Sequence, residues 1–94
     1  MRKIEQEMVA AVHARKNWSM DNTRVEFVHP GSGNLGRVTL HGHRIASIDS
    51  RGNLEPDRQT FREWPTMTTA SRLRALGVNA SIRNGKACID GVPV

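Results

Sequence analysis

The sequence predicts a small α+β domain: an N-terminal helix, an antiparallel β-meander, a second helix and a C-terminal β-hairpin. Three observations carry that prediction. Apolar residues recur every fourth position near the start of the chain and then stop doing so. The middle of the chain alternates apolar and polar side chains between turn-forming residues. Asn84-Gly85 separates two further short runs, and an Asn-Gly pair in that setting is a strong hairpin signal.

The first helix is expected over residues 2–16. Ile4, Met8 and Val12 form one stripe with Val9 and Ala11 alongside, and Arg2, Lys3, Glu5, Gln6, His13, Arg15 and Lys16 surround it. Arg15 and Lys16 also suit the negative end of the helix dipole. The period breaks over 17–23. Arg24–His29 reads as a strand with Val25 and Phe27 on one face, and His29–Asn34 is a loop punctuated by Pro30 and the glycines. Arg37–His41 follows as a second strand, with Val38 and Leu40 sharing a face. Gly42-His43 fits a type II′ turn, a register that sets Leu40 opposite Ile45 and Val38 opposite Ser47. Ile48 then falls on the wrong face, so a bulge is expected.

Ser50-Arg51-Gly52-Asn53 is another turn, and Glu55-Pro56-Asp57 continues a polar stretch. Thr60–Trp64 reads as a short edge strand ended by Pro65. Thr66 or Thr68 caps a second helix over 66–76, and Gly77 stands where a C-terminal glycine belongs. The closing hairpin joins Val78–Arg83 to Lys86–Asp90.

Ninety-four residues with no repeat or linker suit one domain, 1–94. Only Trp18, Phe27, Phe61 and Trp64 are aromatic, so the core must rest on aliphatic residues. Cys88 is the lone cysteine, which points to a reducing compartment. Acids at Glu5 and Glu7 interrupt any signal-peptide core, and the longest apolar run is Met8–Val12, too short for a membrane span. A cytoplasmic protein without membrane attachment is expected. The formal net charge is +5, and 11 of the 14 basic residues are arginine, whose planar fork suits phosphate and carboxylate. This balance permits a nucleic-acid partner or an acidic protein and argues against a DNA mimic.

Candidate catalytic motifs fail on context. Gly31-Ser32-Gly33-Asn34-Leu35-Gly36 matches a dinucleotide fingerprint, but the motif needs a helix next and a strand follows. His41 and His43 flank a turn glycine; even with Cys88, His13 or His29 they lack a second ligand pair at zinc spacing. Cys88 falls on the polar face of its hairpin, with no histidine fixed beside it as base. Glu55 and Asp57 lie in a polar turn where nothing would raise a carboxyl for acid work. No enzyme, cofactor, metal or small-molecule substrate is expected.

The helix and hairpin of the C-terminal third are the better candidate. On the 66–76 helix, Thr69, Ala70, Leu73 and Leu76 are expected inward, and Thr68, Ser71, Arg72, Arg74 and Ala75 outward. Hydroxyls and arginines beside a small residue offer phosphate anchors and base-edge contacts. Arg83 and Lys86 stand at the tip of the 78–90 hairpin, placed like the wing of a winged helix-turn-helix. The segment from Gly52 to Pro65, however, does not read as the preceding helix of such a fold. The expected nucleic-acid contacts are Thr68, Ser71, Arg72, Arg74, Arg83 and Lys86.

Three stretches, Asn17–Thr23, Leu40–Ala46 and Trp64–Leu76, are similar in order and spacing to small accessory proteins of tailed bacteriophages, notably those of T7-like podoviruses. Relatives of that type tend to carry asparagine where His43 and Arg74 stand, which further weakens a metal role for His43. The resemblance implies a phage accessory protein working in the host cytoplasm and brings no activity with it. The alternative to nucleic-acid binding is an effector that binds a host polymerase, nuclease or defence complex.

Overall fold

The computed structural model describes residues 2–29 and 35–94, so the expected 29–34 loop lies outside the described residues from position 30 on. The first helix, α1, spans Lys3–Ala14 and ends where Arg15 adopts a left-handed backbone (φ 53°). Met8 and Ala11 are buried as the stripe requires, but the third buried residue is Glu5, expected in solvent. The buried face is therefore rotated toward Glu5, whose charge is answered from another helix as described below.

Five strands follow as an antiparallel meander in chain order: β1 (Trp18–Met20), β2 (Thr23–Phe27), β3 (Gly36–Leu40), β4 (His43–Ile48) and β5 (Leu54–Pro56). β1 and β5 fall where only turns and polar stretches were expected. Period-two alternation sends Thr23, Val25, Phe27, Val38 and Leu40 to the covered face. Gly36 sits opposite Phe27, and a Cβ there would run into the Phe27 ring. The β3–β4 turn is His41-Gly42, both left-handed (φ 52° and 80°), rather than Gly42-His43. That is a type I′ geometry, which matches strand twist. The register becomes Leu40 opposite His43 and Val38 opposite Ala46. The bulge is present, at a register shift between Val38 and Thr39, and it lets Ile45, Ala46 and Ile48 all be buried.

The expected strand over Thr60–Trp64 is a helix instead: α2 spans Arg58–Glu63. Its N-cap Asp57 accepts a hydrogen bond from the Thr60 backbone N–H at 3.0 Å, a local signal that outweighs the strand-prone side chains. Phe61 is its one buried residue. A corner at Trp64-Pro65-Thr66 leads to α3 (Met67–Ala75), capped by Thr66, whose hydroxyl accepts from the Thr69 N–H at 3.1 Å.

The closing hairpin has the expected register, Ala80–Ile89, Ser81–Cys88, Ile82–Ala87 and Arg83–Lys86, across Asn84-Gly85. Its strands are β6 (Ala80–Arg83) and β7 (Lys86–Ile89), and β8 (Val92–Pro93) adds a third through Asp90-Gly91. Cys88 is buried rather than on an open polar face. α1 packs on β2, α2 on β4 and β7, and α3 on α1, β4 and β6. One core of Met8, Val25, Val38, Ile45, Ile48, Phe61 and Leu73 results, each contributing about 1.5–3 kcal/mol by burial.

Candidate functional site

The six residues expected to share an outward face divide. Arg72 turns inward and is 3% exposed. Its Nη1 donates to Glu5 Oε2 at 2.9 Å and its Nε donates to Thr23 Oγ1 at 3.1 Å. The Ser71 hydroxyl donates to the same Glu5 oxygen at 2.6 Å. α1, α3 and β2 thus meet around one buried ion pair with hydroxyl partners, the arrangement in which a buried charge is tolerated. Burial alone would raise the Glu5 carboxyl, but the Ser71 and Arg72 hydrogen bonds outweigh it and hold the group below the ordinary value of 4.5. Ser71 and Arg72 are therefore corrected from surface to interior contacts. Sequence reasoning missed this because Glu5 and Arg72 were each read alone as surface residues. Only their pairing makes both burials favourable.

Thr68 is half-buried. Arg74 is exposed, and its Nη1 donates to the Ala80 carbonyl at 3.0 Å, which holds the guanidinium beside the base of the β6–β7 ribbon. Arg83 and Lys86 are exposed and directly opposite each other at the ribbon tip. Like charges set directly opposite each other weaken the pairing of two strands. A helix does precede α3, where a helix-turn-helix would place one, but the α3 flank carrying Ser71 and Arg72 is spent on α1.

Charge divides along the chain. Residues 1–57 carry eight basic and seven acidic residues, whereas 58–94 carry six and two. On the open face of the five-stranded sheet, Arg37 pairs with Glu26 at 3.5 Å and Arg44 with Asp57 at 3.3 Å. The Thr60 N–H hydrogen bond, helped by Arg44, holds Asp57 below the ordinary aspartate value of 3.8. In the C-terminal unit, by contrast, no ion pair is formed by Arg62, Arg74, Arg83 or Lys86 among the described residues.

The histidines once weighed as zinc ligands have other neighbours. His41 Nε2 lies 3.3 Å from Asn22 Nδ2, and the His43 ring stacks on Trp64. Among the described residues no group of three or more His, Cys, Asp or Glu side chains is placed to hold a metal ion. No described helix is long and apolar enough to cross a membrane.

A helix-covered five-stranded meander joined to a basic helix–ribbon unit defines a small two-sheet α+β protein. The chain belongs to the Kyanoviridae Gp96 protein family, whose profile matches residues 1–92. It is thus a phage accessory protein, and the podovirus resemblance is corrected: the Kyanoviridae are myoviruses. No curated protein and no solved structure matches the chain.

Proposed function

We propose that the protein is a non-catalytic module that binds nucleic acid through its C-terminal unit, with Arg74, Arg83 and Lys86 as phosphate contacts. The observation that supports this reading most is the ribbon tip. Two cations face each other there with no ion-pair partner among the described residues, in a segment that holds nearly all of the chain's charge excess. A like-charge pair weakens a hairpin, and a polyanion laid against it turns the same repulsion into attraction. Arg74, tethered at Ala80, extends the positive strip from the ribbon back along α3.

The test is a salt titration of DNA and RNA binding. Log affinity should fall linearly with log salt, and Arg83→Ala should flatten the slope by about one unit. Absence of binding at low salt removes the proposal. A host protein that co-purifies stoichiometrically after nuclease treatment, with no nucleic-acid affinity, would replace it with the effector reading.

A further inference from the structure

Trp64 forms the corner between α2 and α3 and is 45% exposed, although the chain has only four aromatic residues. Its indole stacks on the His43 ring, with centroids 4.2 Å apart and planes inclined by 27°. Both rings are held at element ends. The Trp64 N–H donates to Thr60 O at 2.9 Å and its carbonyl accepts from the Thr66 N–H at 2.8 Å, while His43 opens β4 beside the tight His41-Gly42 turn. Asp57, the α2 N-cap, is bonded to Arg44 and through its backbone N–H to Ile45 O, so both ends of α2 are fastened to the start of β4. Met67, 68% exposed, follows three residues later at the first position of α3.

Helical geometry connects this corner to the basic strip. Met67 and Arg74 are seven residues apart, which puts them on one side of α3 about 10 Å apart along its axis. Met67 and Arg74 thus share one side of the helix that starts from the Trp64 corner, and Arg74 is hydrogen-bonded to the base of the ribbon that carries Arg83 and Lys86. Single-stranded nucleic acid has the matching chemistry, because its unpaired bases offer π-faces and its backbone offers phosphates. In a duplex the base faces are already stacked on each other.

We infer that the Trp64–His43 stack is a base-stacking subsite, so that the preferred partner is a single strand rather than a duplex; this rests on the nucleic-acid reading above. The probe is the intrinsic fluorescence of a Trp18→Phe variant, in which Trp64 is the only tryptophan. It is titrated at low salt with an oligothymidylate and with a duplex of equal length. The oligothymidylate should quench Trp64 to a plateau and bind more tightly than the duplex. Trp64→Ala should weaken single-strand binding about tenfold or more, with the salt slope unchanged. The tryptophan-only variant reports whether or not Trp64→Ala folds. Salt-dependent binding without quenching, and equal for strand and duplex, overturns the stacking subsite and leaves the basic strip standing. Failure to bind either probe removes both.

Discussion

The open face of the five-stranded sheet and the C-terminal helix–ribbon unit both display arginine, with opposite consequences. On the sheet, Arg37 and Arg44 are each answered by an acid, while Arg24, exposed on the same face, forms no ion pair among the described residues. On the ribbon, Arg83 and Lys86 face each other with no ion-pair partner among the described residues. Between the two lies Arg72, an arginine of α3 that serves the interior and joins the layers through Glu5. The placement of the nine acids, more than that of the fourteen bases, decides which part of the protein is a positive surface.

The largest effect expected from disturbing this division is at the seam. Arg72→Ala leaves Glu5 charged and buried, which should cost about 3–5 kcal/mol, a drop in melting temperature on the order of 15 °C. Replacing both partners, Glu5→Leu with Arg72→Met, should recover most of that loss in thermal denaturation. A single variant as stable as the parent would show that the pair does not hold the layers together.

A second, smaller effect is pH-dependent. The folded Glu5 carboxyl is held below its ordinary value, so its contribution is present above about pH 4.5 and lost as pH falls through the folded value. Denaturant midpoints should therefore fall on acidification, and Glu5→Gln should flatten part of that fall while lowering stability at neutral pH. Asp57 is also held low and adds a remainder of the same sign, so the flattening is partial.

Much of this was legible in the sequence, and the failures share a cause. α1, β2, β3, α3 and the Asn84-Gly85 hairpin follow from periodicity, capping and turn chemistry, which act within a few residues. Asp57 as a cap for α2 and Asp90-Gly91 as the turn into β8 are signals of the same kind that went unweighed. The burial of Glu5 and Arg72, with the half-buried Ser71 bonded to Glu5, is different, because it rests on contacts more than sixty residues apart in the chain. Helical periodicity places Arg72 at the edge of the buried arc and cannot decide which way it turns. The uneven charge between the two halves, by contrast, was countable from the letters alone.

Smaller effects sharpen the contrast at the surface. Arg83→Ala and Lys86→Ala should each change stability by no more than about 0.5 kcal/mol, since both side chains are exposed and make no ion pair among the described residues. Their effect should fall on nucleic-acid affinity instead. Arg37→Ala should do least of all, because removing an arginine already matched by Glu26 uncovers no cation that a phosphate was using.

The most direct measurement compares two double variants, Arg83→Ala/Lys86→Ala and Arg37→Ala/Arg44→Ala, in the salt dependence of binding to an oligothymidylate. The ribbon pair should flatten the log–log slope by about 1.5 units, and the sheet pair should leave it where the parent has it. Equal flattening by both, or flattening by the sheet pair alone, would contradict the claim that the C-terminal unit is the working surface.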